Sequence, residues 1–356
     1  MKLTIKTNTL QDLLSKATKG ASCNKMLPLT SLVELCTNMG TLSITTTDGN
    51  TYLRCSTTEF EGEIVAVVDV TLLTSLISKL TCDSVTLEKT DTSLIVQGNG
   101  TYKIELPVDE NGKEIKFPDP ISNLVFTYTK TIKEEVYTTF IKSNRVALST
   151  SLIKPCNTGY YFGDRILTTD EYVICCNDYK LVDSPILVNA ECMNLVSMMK
   201  GDINLSLAND KIVFTNNNML VYSTLMNNYI ADFKVDAINN LVDKEFDFKA
   251  EINRNMILSV LDRISLFISP FERNLVHLHF TEQGLEISSL QMTGHELIRY
   301  SYINPVQDYE CDIDVGRLRQ HIASQTGETV EIWYNNDRAI KMVAGDTTQV
   351  VALTID

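Results

Sequence analysis

The sequence predicts an α+β protein built from three tandem copies of one small module. The first observation is a strand end followed by an N-capped helix, which recurs at Asp69, Asn189 and Asp314, with spacings of 120 and 125 residues in a chain of 356. The second is that short alternating segments bounded by Asn, Asp and Gly follow each helix, as in antiparallel strands. The third observation is that a strand, a helix and a hairpin precede each capped helix. Each third therefore reads as a βαβββ unit repeated twice.

The opening halves place apolar residues at helical spacing after a short strand. The predicted strands are 3–5, 125–127 and 246–248, each followed by a helix, and hairpins such as 32–35 with 42–44 and 276–280 with 285–287 come next. The apolar helix positions are Leu10, Leu13, Leu14 and Ala17, then Ile132, Val136 and Ile141, then Met256, Val260, Leu261 and Ile264.

The closing halves begin at the three capping residues, because Asp and Asn side chains accept hydrogen bonds from the first turn of a helix. The apolar positions of these helices are Leu73, Leu76, Ile77 and Leu80, then Met193, Val196 and Met199, then Leu318 and Ile322. The strands predicted after them are 85–87, 94–96 and 102–106, then 203–207, 212–214 and 220–222, then 330–332, 340–342 and 350–353.

Composition narrows the class of protein. The chain is 44% hydrophobic and 21% charged with a net charge of −14, which is an ordinary globular composition. Its longest aliphatic run, 64–68, is the length of a strand, and the N-terminus alternates apolar and polar residues. We therefore expect neither a membrane protein nor a secreted one, but a cytoplasmic protein. Nine cysteines without a CxxC pair favour free thiols over disulfides or structural zinc.

Modules with exposed edge strands can pair edge to edge, and pairing that continues between chains gives a closed ring. Nothing in the sequence resembles the terminal caps of an open solenoid. A closed ring encloses an interior space, so the repeat suggests a function that uses such a space.

The sequence resembles the bacterial-type β sliding clamp, the processivity ring of the replicative DNA polymerase. The resemblance covers the whole chain and rests on the order of short segments over three modules. These are Met-Lys-Leu-Thr-Ile at 1–5, Met-Leu-Pro-Leu at 26–29, Leu-Ser-Ile-Thr-Thr-Thr-Asp at 42–48, Leu-Thr-Thr-Asp at 167–170 and Gln-Val-Val-Ala-Leu-Thr-Ile at 349–355. Its many Asn and Thr residues and altered terminus fit a divergent, phage-encoded member acting in a bacterial cell.

The resemblance implies three clamp domains, at 1–119, 120–240 and 241–356, in a head-to-tail homodimer whose twelve helices line a channel for double-stranded DNA. It implies the replicative DNA polymerase and a clamp loader as partners, with no catalysis, cofactor or metal. It also implies a dimer interface that joins Tyr102, Lys103 and Leu106 to Leu266 and Phe267.

An acidic chain is a poor nucleic-acid binder by net charge, so the distribution of its cations decides. The exposed faces of the predicted helices are relatively rich in Lys and Arg, which would give a mildly positive channel and sequence-independent DNA binding. Ordinary solvated helix faces would look the same for any one residue. The candidates are Lys16, Lys19, Lys79, Lys142, Arg145, Lys200, Arg254, Arg317 and Arg319, and the resemblance adds loop residues Asn24, Lys25 and Lys154.

The resemblance also implies a cleft between the second and third modules in which partners insert a short apolar peptide. Plain inter-domain core would use the same residue types. The matching positions are Thr169, Tyr172, Val173 and Ile174 in a turn, Ala231 and Val235 in the junction, and Val350, Ala352, Leu353 and Thr354 at the terminus.

Other pairs of chemically reactive residues are better explained by structural roles than by metal binding or catalysis. His277 and His279 share a strand face but lack a third metal ligand. Cys175 and Cys176 point to opposite strand faces, so we expect one buried and one half-exposed thiol. Asp48 and Asp170 are expected to form turns. No nucleotide-binding loop or hydrolase motif occurs, so an enzyme is the least supported class. The alternative to a clamp is a three-module scaffold or assembly protein that does not encircle DNA.

Overall fold

The computed structural model describes residues 1–22, 24, 26–268, 274–301, 307–335 and 338–353, and within them lie 25 β-strands and seven α-helices. The chain forms two compact units. The first unit is Met1–Glu134 with Glu191–Leu225, and the second unit is Glu135–Ala190 with Met226–Asp356.

The first third of the chain has the predicted order of strand, helix, strands, capped helix and strands. Its elements are β1 (Lys2–Lys6), α1 (Thr7–Ala17), β2 (Leu32–Asn38), β3 (Thr41–Thr47), β4 (Thr51–Thr57), β5 (Phe60–Gly62), β6 (Val65–Asp69), α2 (Val70–Ile77), β7 (Ser84–Lys89), β8 (Ser93–Gln97) and β9 (Thr101–Glu105).

The order repeats in the middle third. Its elements are β10 (Tyr128–Ile132), α3 (Glu134–Arg145), β11 (Gly159–Phe162), β12 (Ile166–Thr169), β13 (Val173–Asn177), β14 (Ile186–Asn189), α4 (Ala190–Val196), β15 (Ile203–Ala208), β16 (Lys211–Thr215), β17 (Met219–Thr224) and a connecting helix α5 (Val235–Val242).

The last third repeats it again. Its elements are β18 (Phe248–Asn253), α6 (Arg254–Ile264), β19 (Leu275–Thr281), β20 (Gly284–Ser289), β21 (His295–Ile298), β22 (Tyr309–Asp314), α7 (Val315–Ser324), β23 (Thr329–Tyr334), β24 (Ala339–Ala344) and β25 (Thr347–Ala352). The α+β repeat predicted from the sequence is therefore confirmed.

Helix caps explain where the repeated helices begin. The Asp69 carboxylate accepts a hydrogen bond of 2.7 Å from the backbone N–H of Leu72, and Asp314 accepts one of 2.7 Å from Arg317. Both satisfy a donor that the first turn of a helix leaves unpaired. Asn189 immediately precedes α4, as predicted.

All four sheets are antiparallel. In the first unit the strand orders are β5-β1-β7-β8-β9 and β10-β15-β16-β17-β4-β3-β2-β6. In the second unit they are β14-β11-β12-β13-β25-β24-β23-β18 and β21-β20-β19-β22. Each eight-stranded sheet joins strands from two successive thirds of the chain.

Two seams make these joins, and they use equivalent strands. In the first seam β4 pairs with β17, with Leu53 opposite Val221. In the second seam β13 pairs with β25, with Cys175 opposite Gln349. The edge-to-edge pairing predicted between modules therefore occurs twice within one chain.

The apolar positions predicted for the helices mostly enter the core. Leu10, Leu13, Leu14 and Ala17 of α1 are all buried in the first unit. In the second unit Val260, Leu261 and Ile264 of α6 pack into a buried cluster with residues from both sheets of that unit. Met256 is an exception, because it lies on the exposed side of α6.

Four sequence predictions need correction. The strand expected at 125–127 is β10 at 128–132, where Ile132 is buried and Val125 and Phe126 are exposed. Ile132, predicted as a helix position, therefore lies in a strand, and α3 begins at Glu134. The strand expected at 246–248 is β18, which begins at Phe248. Cys175 and Cys176 are both buried, since the two faces of β13 pack into different apolar clusters. Helix α5 was not predicted, because its eight residues follow what reads as a junction. The division at 119 and 240 stays a prediction.

Candidate nucleic-acid and partner interfaces

A groove in the second unit contains half of the residues of the predicted cleft. It consists of a first cavity of about 430 Å³ and a second cavity of about 470 Å³, both lined by Glu171, Ile174 and Leu241. Such volumes are typical of ligand sites. The first cavity is also lined by Ile153, Lys154, Pro155, Cys156, Asn157, Thr169, Asp232, Lys234, Ala237 and Ile238, and the second by Tyr172, Lys244, Phe246, Arg338, Ala339, Val350 and Ala352.

Helix α5 supplies the wall that the two cavities share. Ile238 and Val242 are buried in the apolar cluster beneath it, which leaves Leu241 partly exposed between the cavities. Lys341 donates hydrogen bonds to the carbonyl oxygens of Val242 (3.4 Å) and Lys244 (2.6 Å) at the end of this helix. A cation at a helix C-terminus stabilises it, so Lys341 holds α5 against the groove.

The turn between β12 and β13 forms the other side. Asp170 Oδ1 accepts hydrogen bonds from the backbone N–H groups of Tyr172 (2.9 Å) and Val173 (2.7 Å). Asp48 makes the same bonds to Asn50 and Thr51 in the first module, at 2.8 and 2.7 Å. Both aspartates therefore form turns, as predicted.

Glu171 occupies an unusual backbone conformation in this turn. Its φ is +80°, and the equivalent residue of the first module is Gly49, with φ +102°. Glycine adopts this region at little cost, whereas other residues do so only when surrounding contacts hold them. Here the Glu171 carboxylate forms an ion pair with Lys154, and its N–H donates to Thr169 Oγ1 at 3.0 Å. The ion pair raises the pKa of Lys154.

The structure sorts the predicted cleft residues. Thr169, Tyr172, Ile174, Val350 and Ala352 line the groove. Val173 is instead core, Val235 and Leu353 are half-buried against core clusters, Ala231 is exposed in the 3₁₀ turn Asn227–Asp232, and Thr354 lies outside the described residues. Leu241, Phe246 and Arg338 were missed. The apolar spacing of Val235, Ile238 and Val242 would have revealed α5 and, with it, Leu241.

In the first unit, two DNA candidates from different modules come together. Lys16 of α1 and Lys200 after α4 line one cavity of about 200 Å³, and Lys16 also pairs with Asp12 at 2.5 Å. Lys19 and Lys79 are exposed. Asn24 is exposed too, but its side chain accepts a hydrogen bond from the Met26 N–H at 3.0 Å, and Lys25 lies outside the described residues.

In the second unit, four of the six DNA candidates have other partners. Lys142 and Arg145 are exposed on α3, and burial together with the charge of Arg254 lowers the pKa of Lys142. Lys154 is paired with Glu171, and Arg319 is paired with Asp262 at 2.5 Å.

Arg254 and Arg317 act within the fold. Arg254 donates to the carbonyl oxygens of Ile322 (3.0 Å) and Ala323 (2.9 Å), which caps the end of α7. The Arg317 guanidinium lies 4.9 Å from the centre of the Tyr172 ring and 3.9 Å from Asp170, so it sits beside the groove. A helical lysine or arginine pattern alone does not reveal such contacts.

The predicted dimer residues lie at two exposed places. Tyr102 and Lys103 are exposed on β9, an edge of its sheet, and half-buried Leu106 follows that strand. Leu266 and Phe267 are exposed in a 3₁₀ turn after α6. Phe267 lies over Gly294, beside edge strand β21, where an added Cβ would come within 2.9 Å of the ring.

Buried polar side chains fill the second seam. Gln349 Nε2 donates to Ser324 Oγ at 2.9 Å and to the Ser143 carbonyl at 3.2 Å, and Gln325 donates to Gln349 Oε1 at 3.1 Å. His321 is buried beside them, and its Nδ1 has no hydrogen-bond partner among the described residues. Burial lowers the pKa of His321 from 6.5 to about 4.

We expect this histidine to make the protein less stable in mild acid. The folded pKa lies below the unfolded value, so the stability is complete above about pH 6.5 and is lost as pH falls towards 4, by about 3 kcal/mol. Urea unfolding at pH 7.5 and pH 5 should show a smaller fall for His321→Gln than for the unaltered chain. Equal falls in both proteins would contradict this assignment.

The described part of the chain gives little support for metal binding or for a membrane span. Its His, Cys, Asp and Glu side chains form no cluster that could hold a metal ion. His277 and His279 pair with Asp312 (2.8 Å) and Asp308 (2.9 Å) instead. Among the described helices, none is long and apolar enough to cross a membrane.

Three α+β modules joined edge to edge through equivalent strands define a clamp-type architecture. The sequence matches no known family description and no curated protein. Solved structures match over the full length. The DNA polymerase sliding clamp from Bacillus subtilis is 16% identical with a TM-score of 0.82, covering 100% of this chain and 99% of that one.

The beta subunit from Streptococcus pyogenes DNA polymerase is 14% identical with a TM-score of 0.83, covering 100% of both chains. DNA polymerase III subunit beta from Borrelia burgdorferi, solved with a natural product, is 15% identical with a TM-score of 0.84, covering 100% of this chain and 98% of that one. The chain therefore has the fold of the DNA polymerase III beta sliding clamps.

Proposed function

We propose that this chain is a non-catalytic DNA sliding clamp, a homodimeric ring that encircles duplex DNA and tethers the replicative DNA polymerase. One observation carries the proposal. Two seams join β4 to β17 and β13 to β25, and the equivalent strands that remain are β21 and β9. Each is an edge strand among the described elements, so a second copy can pair with it.

The internal seams also predict the register of this third join. The hairpin registers make Leu53 and Cys175 equivalent to Gly294, and they make Val221 and Gln349 equivalent to Tyr102. Tyr102 of one copy would then lie opposite Gly294 of the other, directly beside Phe267. The exposed apolar residues near β21 would be covered, which removes an otherwise costly surface.

The groove is the proposed docking place for the polymerase and for a clamp loader. Its lining comes from five separate chain segments, which together form a concave site that could accept an extended peptide. A crystal structure of a sliding clamp from Bartonella birtlesii was solved bound to griselimycin, and it is 15% identical to this chain with a TM-score of 0.84. We further propose that the protein acts in the cytoplasm of a bacterial cell, and its low identity to bacterial clamps fits a phage-encoded protein.

A topological experiment tests ring closure and DNA encirclement together. Thr101→Cys with His295→Cys places a cysteine pair across the proposed join, because these residues flank the Tyr102 and Gly294 positions. Rings loaded on nicked circular DNA and then oxidised should stay with the DNA in detergent, and cutting the circle should release them. Each single cysteine variant is the control. Cross-linked dimers that wash off intact circles would exclude encirclement, and failure to cross-link would exclude this register.

A further inference from the structure

The second cavity of the groove differs from the first in charge. In the first cavity Glu171 and Lys154 pair with each other, and Asp232 and Lys234 balance. The second cavity is lined by Glu171, already neutralised, together with Lys244 and Arg338. Two cations and one anion therefore line it, in a chain whose net charge is −14, and the anion is paired with Lys154.

Arg338 is well placed to use this charge. Its side chain is exposed, and it forms no ion pair within the described ranges. Its backbone carbonyl accepts a hydrogen bond of 2.8 Å from the Leu353 N–H, which fixes its main chain beside β25. A guanidinium held at the rim of an apolar cavity binds a carboxylate strongly, because it offers several donors to a partly desolvated anion.

Apolar groups form the floor below this cation. Phe246, Ala339, Val350 and Ala352 line the second cavity, and the Lys341 ammonium lies 5.1 Å from the centre of the Phe246 ring. A partner side chain that fills this cavity must therefore be apolar. The residue next to it along an extended peptide would reach the rim, since neighbouring side chains point to opposite faces.

We propose that the groove selects partner segments in which a carboxylate lies next to the apolar side chain that enters the second cavity. Arg338 binds that carboxylate. The inference rests on the proposed function, because it names the chemistry of the peptide that the clamp binds. It makes Arg338 a specificity-determining residue. Lys234 lines the first cavity, where the charge of Asp232 balances its own. Lys234 is therefore not expected to determine specificity.

Synthetic peptides with two leucines two or three residues apart test the proposal. Each is made with glutamate or glutamine before the first leucine or after the second, and affinity is measured by calorimetry. Glutamate at one end should tighten binding about tenfold over glutamine there, and the gain should shrink with added salt. Arg338→Gln should remove the gain, Arg338→Lys should keep part of it, and the matched Lys234→Gln should leave it unchanged.

The outcomes separate this inference from the proposed function. Equal affinity of glutamate and glutamine peptides overturns the acidic preference while leaving the groove as a docking site. A gain that survives in Arg338→Gln but not in Lys234→Gln overturns the assignment to the second cavity. If no leucine peptide binds, the groove is not the partner site, and both the acidic preference and the proposed docking role of the groove are wrong. Thermal unfolding of each variant verifies that the fold is retained.

Discussion

Replacing Leu266 and Phe267 together by alanine is expected to convert the proposed dimer into monomers. The two side chains are 80% and 53% exposed in the single chain, and Phe267 lies over Gly294, where the partner's edge strand would pair. Burying each of them should contribute roughly 1.5–3 kcal/mol, so their removal should weaken association about a hundredfold or more. Sedimentation velocity over a range of protein concentrations measures the effect.

The chain offers a matched control. Val125 and Phe126, before β10, are 80% and 46% exposed, so Val125→Ala with Phe126→Ala removes a similar apolar surface. This variant should sediment as the unaltered protein does. A dimer that survives the Leu266 and Phe267 substitutions would remove this turn from the interface.

Reversing charge at Lys142 and Lys200 is expected to shorten retention on nicked circular DNA. Burial and then the charge of Arg254 lower the pKa of Lys142, and Lys200 lines a cavity with Lys16. A lysine that binds a phosphate group contributes to the salt dependence of DNA binding. Lys142→Glu with Lys200→Glu should make the salt dependence of DNA binding shallower by about one to two in log–log slope.

The control for this pair has the same net charge. Lys113 and Lys116 are exposed between β9 and β10, and their replacement by glutamate should leave retention unchanged. Exposed substitutions of this kind usually change stability by less than about 0.5 kcal/mol, so unfolding would not explain a loss. Equal retention by both double variants would exclude Lys142 and Lys200 as DNA contacts.

The repeat could be predicted from the sequence because it contains helix-capping and turn-forming residues whose side chains bond to backbone groups a few positions away. Asp69 and Asp314 cap their helices through their own side chains, and Asp48 and Asp170 build the same turn. Such contacts span three residues, so the linear sequence contains them. The strand alternation that follows is equally local.

The site was harder to predict because its contacts are remote along the chain. Arg254 is bound by carbonyls 68 and 69 residues away, and Arg317 stacks on Tyr172 from another module. Leu241 reaches the groove only because α5 packs on a core formed by other segments. Residue type and spacing alone gave these three side chains different roles or none.

The two remaining edge strands have a consequence for assembly. Each chain presents one β9 edge and one β21 edge, so every join uses two different surfaces. Such joins close into rings when the angle between copies fits and otherwise extend into filaments. A change that alters this angle, without weakening the join, would therefore turn the proposed ring into open polymers whose length grows with protein concentration.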